Sequence, residues 1–432
     1  MQAVIMAGGK GTRLLSVTKD VPKPMVGFCT KPLLEYIIEN LKENGVTDII
    51  LVIGHLGDII KNHFGTGKDF GVNIRYFCEQ SPLGTAGALP GIKDMLEDTF
   101  FLVFGDLFIN IDFQRFYGFH KSKKSKITLF AHPNSHPFDS DIIVTDSCDM
   151  VTGWSYKKDE RSGYYKNLVN AGIYVIDKSA LPESYAGKLD LEKDVIIPSI
   201  KGNDVYAYCS SEYVKDIGTP ERLFSVETDY KNGIPQKRNL KNKQKCIFLD
   251  RDGTINRYVG LLKNTDDMEL LPGVAEAIKI INESEYLAVC ITNQPVVARG
   301  DVTLAGLEEI NNKMHTLLGQ NGAYLNGLYF CPHHPDSGFA GEVKELKIDC
   351  DCRKPKTGLV KAAQERFNID LQNSWFIGDT YMDVLTGKIA GIKTILLKSG
   401  AEDKFQKYKC VPDFTADDLL SAVNIILKGE EK

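Results

Sequence analysis

Cys246-Ile247-Phe248-Leu249-Asp250-Arg251-Asp252-Gly253-Thr254 decides the fold of the C-terminal half. An uninterrupted apolar run reads as a strand, and two acids follow directly where it ends. That end of a strand is where α/β proteins place their ligands, so Asp250 and Asp252 point to metal binding or catalysis. The alternative is a turn merely rich in aspartate. Downstream come a helical pattern near Val274–Asn282, the run YLAVCITN, a second helical pattern near Leu304–Leu318, and AYLNGLYFC. Further on, Gly358–Phe367 reads as a helix, SWFIGD as a strand, Met382–Ala390 as a helix and KTILLK as a strand. This alternation predicts a parallel sheet with helices on both faces.

Upstream, KNGIPQKRNLKNKQK (Lys231–Lys245) is polar, basic and poor in apolar residues. It is expected to be a linker, dividing a domain at 1–230 from one at 246–432. The first domain opens with the same alternation: AVIMA, the helical pattern Leu33–Leu41, IILVI, then FFLVF before Gly105 and Asp106. Between Lys126 and Ile176 the short runs ITLFA, DIIVT and AGIYVI suggest added antiparallel strands, hence a mixed sheet. The predicted class is α/β, with two Rossmann-like domains. A chain of 432 residues fits this division, since domains run to roughly 150 residues.

With 43% hydrophobic and 25% charged residues, the chain has ample material for packed cores. A formal charge of -5 offers no electrostatic footprint for nucleic acid or an anionic membrane. The N-terminus MQAVIMAGGKGTR has neither a basic leader nor a cleavage site, and no run approaches a membrane span, so a cytoplasmic location is expected. Small anionic molecules are the expected partners, and the oligomeric state is left open. Of ten cysteines, seven are scattered while Cys331, Cys350 and Cys352 gather near His333 and His334. Cys331-Pro332-His333-His334 and Cys350-Asp351-Cys352 form two close ligand pairs suited to tetrahedral zinc.

After the first strand, Gly8-Gly9-Lys10-Gly11-Thr12-Arg13 lets backbone N–H groups approach a phosphate. It fits neither the dinucleotide fingerprint nor the P-loop, and the alternative is a tight turn with no ligand. Lys23 is flanked by Pro22 and Pro24, which fix the backbone around one cation. The combination of GGKGTRL with PKPM resembles the sugar nucleotidyltransferase family, over about residues 1–230. Leu83-Gly84-Thr85-Ala86-Gly87, Gly105-Asp106, Asn170-Ala171-Gly172, Leu191-Glu192 and Asp216-Ile217-Gly218-Thr219-Pro220 follow in the order of that family. The resemblance implies a nucleotidyltransferase fold of type A. It implies that Gly8, Gly9, Gly11, Thr12 and Arg13 hold the triphosphate, with Arg13 and Lys23 as the catalytic cations. Gly84 would lie by the base, Asp106 and Asp216 would bind Mg²⁺, and Asn170, Gly172 and Glu192 would touch the sugar. The alternative for Asp216 is a helix N-cap, which can coexist with a metal role.

The Asp250-x-Asp252-Gly-Thr signature resembles the haloacid dehalogenase superfamily, and Thr292, Lys354, Asp379 and Asp383 follow in the required order. The resemblance makes Asp250 the nucleophile and Asp252 the acid that protonates the leaving oxygen. Thr292 and Lys354 would hold the phosphoryl group, Asp250, Asp379 and the Asp252 backbone would surround Mg²⁺, and Asp383 would orient the site. Within the superfamily this half resembles heptose 1,7-bisphosphate 7-phosphatases, with histidinol-phosphate phosphatases next. That implies Cys331, His333, Cys350 and Cys352 as structural zinc ligands, His334 facing substrate, Arg353 on a second phosphate, and a pocket shaped by Thr292–Gly300, Arg299 included. The N-terminal half is most similar to heptose 1-phosphate guanylyltransferases, so the two halves would make GDP-heptose in sequence. Competing readings are a hexose-1-phosphate guanylyltransferase joined to a different phosphatase, and a non-catalytic sugar-phosphate sensor on an active phosphatase.

Overall fold

The computed structural model describes residues 1–9, 21–159, 161, 163–183, 187–398, 408 and 410–429. Gly11, Thr12 and Arg13, expected to face the triphosphate, lie outside the described residues. Two compact units emerge, one of Met1–His132, Ile143–Ser155 and Asn170–Asn239, the other of Pro133–Ile142, Tyr156–Val169 and Leu240–Lys432. The domain bounds expected from the sequence differ in two respects. Segments 133–142 and 156–169, read as part of the first domain, group with the second unit, where the Tyr165 N–H donates to Thr316 Oγ1 at 3.0 Å. The stretch expected as a linker carries the helix Ile234–Arg238, with Pro235 and Arg238 buried, and Lys245 already opens a strand.

The first unit is built on Gln2–Met6, paired in parallel with Asp48–Ile53 on one side and Thr99–Phe104 on the other. Asn73–Cys78 extends the sheet in parallel, while Val169–Asp177 runs antiparallel to Thr99–Phe104, giving the mixed sheet expected. Because the chain leaves Gln2–Met6 toward one side and returns on the other, the strand order reverses between Gln2–Met6 and Thr99–Phe104. A crevice opens at the carboxyl ends of strands at such a reversal. Gly8 and Gly9 follow one of these two strands, and Gly105 and Asp106 follow the other.

The second unit holds a sheet whose five pairings are all parallel. Its order is Gly327–Cys331, Tyr286–Asn293, Lys245–Leu249, Trp375–Gly378, Lys393–Leu397, Phe414–Ala416. Alternation along the central strand explains why both faces are covered. Ile247 and Leu249 pack with Val274, Ile278 and Ile281 on one side, whereas Cys246 and Phe248 pack with Leu359, Val360 and Phe367 on the other. The reversal of strand order falls between Lys245–Leu249 and Trp375–Gly378, the strands that Asp250 and Asp379 terminate. No described helix is long and apolar enough to cross a membrane.

Candidate active sites

At the reversal in the second unit, Asp250, Asp379 and Asp383 bring carboxylate oxygens within 4.8 Å of one another, and all three residues are buried. Lys354 Nζ lies 2.8 Å from Asp250 Oδ1 and 2.5 Å from Asp383 Oδ1. Asp383 is fixed in turn by the N-terminus of helix Tyr381–Ala390, where its Oδ2 accepts from the Thr380 N–H at 3.2 Å and Oγ1 at 2.6 Å. Gly253 has a φ of +86°, and a Cβ there would fall 2.1 Å from Asp379 Oδ2, so no other residue lets the loop close on the carboxylates. Three carboxylates against one ammonium leave excess negative charge on hard oxygen donors, which suits Mg²⁺. Burial, reinforced by neighbouring carboxylates, pushes the Asp250 and Asp379 carboxyls well above their ordinary range. Burial alone would lower Lys354, but Asp250 and Asp383 outweigh it and push its ammonium up, so it remains a cation.

These directions set a pH dependence. A carboxyl raised in the folded state holds protons that the unfolded chain has released, so its contribution to stability is complete below the ordinary carboxylate range and declines as pH rises through the folded value. A cation seated among the carboxylates removes that penalty. Mg²⁺ is therefore expected to raise the melting temperature more at about pH 8 than at about pH 5.5, with the difference abolished in Asp379→Asn. Scanning fluorimetry at both pH values measures it, and equal gains would disconnect the metal from these residues.

Asp252 accepts from Arg251, Asn256 and Gln294. Gln294 Nε2 also reaches Thr292 Oγ1 at 3.0 Å. Beside this centre, Cys331, His333, Cys350 and Cys352 converge: the sulfur pairs are 3.2 to 3.5 Å apart and His333 Nδ1 is 3.2 Å from Cys352 Sγ. Zn–S bonds of about 2.3 Å give tetrahedral edges of about 3.7 Å, so the donors fit zinc with modest expansion. His334 turns elsewhere, its Nδ1 accepting the Asp336 N–H at 3.1 Å. Cys352 leads directly into Arg353, whose Nη1 donates to His333 O at 3.2 Å, and into Lys354. The Arg299 guanidinium stacks 4.4 Å over the Phe339 ring, and both it and Arg353 depress the already desolvated His334.

In the first unit, Leu107–Asn110 pairs antiparallel with Tyr213–Asp216, setting Leu107 opposite Asp216. Asp106 and Asp216, far apart in sequence, thereby end side by side. Lys23 Nζ donates to Asp106 Oδ2 at 2.6 Å. Burial would raise Asp216, but hydrogen bonds from Arg222 and Gly218, with Lys23 nearby, hold it below the ordinary carboxylate range. Thr219, not Asp216, caps helix Pro220–Lys231 by accepting the Arg222 N–H. Asn170 Nδ2 lies 3.5 Å from Glu192 Oε1, and Asn170 Oδ1 accepts the Gly172 N–H at 3.2 Å. Gly84, at a φ of +90°, packs against Leu189 O, and Thr85 Oγ1 accepts the Leu191 N–H, joining this loop to Glu192.

A profile of the nucleotidyl transferase family matches residues 2–233. The chain belongs to that family. A second profile, HAD-hydrolase-like, matches residues 351–422. A D-glycero-alpha-D-manno-heptose 1-phosphate guanylyltransferase of Campylobacter jejuni is 34% identical over 232 residues, 52% of this chain and 97% of the relative. A D-glycero-beta-D-manno-heptose-1,7-bisphosphate 7-phosphatase of Haemophilus ducreyi is 38% identical over 159 residues, 36% of this chain and 85% of the relative. A mannose-1-phosphate guanylyltransferase of Mycobacterium tuberculosis is 29% identical over 245 residues, 56% of this chain and 67% of the relative. The chain is thus an enzyme joining a nucleotidyl transferase unit to a phosphatase unit.

One residue of the transferase unit escaped the sequence reading. Glu79 follows strand Asn73–Cys78, its Oε2 fills the space a Cβ on Gly8 would take, the Leu83 backbone N–H donates to its carboxylate, and its Oε1 is buried with no hydrogen-bond partner among the described residues. The available signal was an acid placed directly after a predicted strand. In the phosphatase unit, Asn311 likewise went unmarked: its Oδ1 accepts from Arg251 Nη1 at 3.0 Å, a contact made only through space.

Proposed function

We propose that the chain makes GDP-heptose in two steps. The phosphatase unit removes the 7-phosphate of D-glycero-D-manno-heptose 1,7-bisphosphate, and the transferase unit joins GMP from GTP to the resulting heptose 1-phosphate, releasing pyrophosphate. The observation that carries the reading is the Lys354 bridge between Asp250 and Asp383 at the strand reversal, on the same chain as the Lys23, Asp106 and Asp216 cluster. A relative named as a D-glycero-D-manno-heptose-1,7-bisphosphate 7-phosphatase and one named as a D-glycero-alpha-D-manno-heptose 1-phosphate guanylyltransferase match the two halves along most of their own lengths.

In the phosphatase unit Asp250 attacks phosphorus while Lys354 balances charge on the phosphoryl oxygens and Thr292 donates to one of them. The bond from phosphorus to the sugar oxygen breaks, and Asp252 gives that oxygen a proton. Water then attacks the aspartyl-phosphate, Asp252 takes its proton, and phosphate leaves Asp250 free. Asp250 and Asp379 would hold Mg²⁺ with the Asp252 backbone, and Mg²⁺ when bound supplies charge neutralisation between two anions. The Cys331, His333, Cys350 and Cys352 cluster would hold zinc as a structural pin, fixing Arg353 beside a second phosphate and Lys354 beside the first.

In the transferase unit the sugar phosphate oxygen attacks the α-phosphorus directly. Lys23 and Arg13 neutralise the charge that develops, Asp106 and Asp216 would hold Mg²⁺, and Asn170, Gly172 and Glu192 would orient the sugar. Glu79 offers acceptors only, which match the adjacent N1–H and N2–H donors of guanine and no pair of donors on uracil or thymine. Glu79→Gln is expected to lower kcat/KM for GTP by roughly tenfold to a hundredfold, since a bidentate base contact is worth about 1–3 kcal/mol. Steady-state assays with four nucleoside triphosphates measure this, and an unchanged preference would remove Glu79 from base selection.

The deciding experiment is mass spectrometry of products from the protein, Mg²⁺, heptose 1,7-bisphosphate and an equal mixture of the four nucleoside triphosphates. GDP-heptose with pyrophosphate and phosphate is the expected outcome. Accumulation of heptose 1-phosphate alone would overturn the transferase assignment, and no reaction would overturn the heptose. The similarity to a mannose-1-phosphate guanylyltransferase makes mannose 1-phosphate the competing acceptor to include.

A further inference from the structure

Arg251 lies between the two acids of the phosphatase strand end and is fully buried. Its Nε and Nη2 donate to Asp252 Oδ1 at 3.2 and 3.0 Å, and Nη2 reaches Asp252 Oδ2 at 3.0 Å. Nη1 donates the other way, to Asn311 Oδ1 at 3.0 Å. Asn311 is buried in helix Leu304–Gln320, remote in sequence from the acids. A guanidinium is a rigid plane, so fixing one nitrogen fixes the direction in which the others present their protons. Asn311 is also uncharged. It satisfies the third arm of the fork without competing for the positive charge, which is left to Asp252 alone.

We propose that Asn311 is a positioning residue for ester cleavage: by anchoring the Arg251 plane it aims the Asp252 carboxyl at the leaving oxygen. The inference rests on the phosphatase reading above, with Asp252 as the acid. The remaining contacts of Asp252, Gln294 Nε2 at 2.7 Å and Asn256 Nδ2 at 3.1 Å, restrain its oxygens but leave the guanidinium plane undetermined. Among the described residues, Asn311 alone sets that plane from outside the pair.

Leaving-group dependence tests it. A sugar alkoxide must be protonated as it departs, whereas nitrophenolate need not be, so misaimed acid catalysis penalises the first ester selectively. Asn311→Leu removes the acceptor at similar volume, and Asn311→Ala admits a water should the leucine variant not fold. Either is expected to lower kcat/KM for the sugar bisphosphate by at least about tenfold while changing it less than about threefold for p-nitrophenyl phosphate. Equal losses on both esters, or none on either, would overturn the proposal. A wild-type protein that hydrolyses p-nitrophenyl phosphate but no sugar phosphate would refute the underlying reading instead.

Discussion

Asp250→Asn is expected to lower phosphate release from the heptose bisphosphate by at least about a thousandfold, because on the proposed route Asp250 is the group that takes up the phosphoryl. The substitution keeps the shape of the side chain and removes the charge that Lys354 faces at 2.8 Å. Asp383 still engages the ammonium, so the lysine keeps a partner and the fold is expected to survive. Removing a buried carboxylate held above its ordinary range also relieves repulsion with Asp379, so the metal-free variant should melt no lower than wild type at neutral pH. GMP transfer to heptose 1-phosphate supplied directly should be unchanged. Malachite-green phosphate release and a coupled pyrophosphate assay measure the two activities on one preparation, and residual phosphatase activity near wild type would dismiss Asp250 as nucleophile.

Much of this arrangement is legible in the sequence, for a physical reason. Asp250, Asp379 and Asp106 each end an apolar strand, and strand ends converge wherever a parallel sheet reverses its order. Period-two burial of the kind that puts Ile247 and Leu249 on one face and Cys246 and Phe248 on the other is a local property. The cysteines announce themselves because two close pairs of soft ligands have few other uses. What stays hidden depends on contacts between distant segments. Asn311 sits on a helix whose sequence asks only for burial, and its amide could satisfy any neighbour. Glu79 gains meaning only because Gly8 leaves room for its carboxylate. Segments 133–142 and 156–169 are polar beside the apolar strands around them, but that composition does not say which unit they join, so their grouping with the second unit is set by packing. The units divide between Asn239 and Leu240, inside the stretch expected as a linker, whose polar composition does not forbid a short helix once Pro235 supplies the first turn and Arg238 finds a buried place.

Lys23→Met should produce the complementary loss, lowering GMP transfer by about a hundredfold to a thousandfold with phosphate release intact. Pro22 and Pro24 hold this lysine, and its ammonium donates to Asp106 2.6 Å away. Two roles would be lost together. The cation no longer balances the charge passing from the attacking sugar phosphate to the departing pyrophosphate, and Asp106 loses the partner that orients it beside Asp216. Methionine keeps the length and apolar stem, so packing around Met25 and Val26 is preserved and a folding defect is not expected. Lys23→Arg distinguishes the roles, since a guanidinium restores the ion pair to Asp106 but spreads its charge over a plane. If orientation of Asp106 dominates, arginine should recover most of kcat together with the Mg²⁺ dependence. If charge balance at the phosphate dominates, neither variant recovers. In both cases heptose 1-phosphate should accumulate from the bisphosphate, and a parallel fall in phosphate release would mean that the two sites do not work independently.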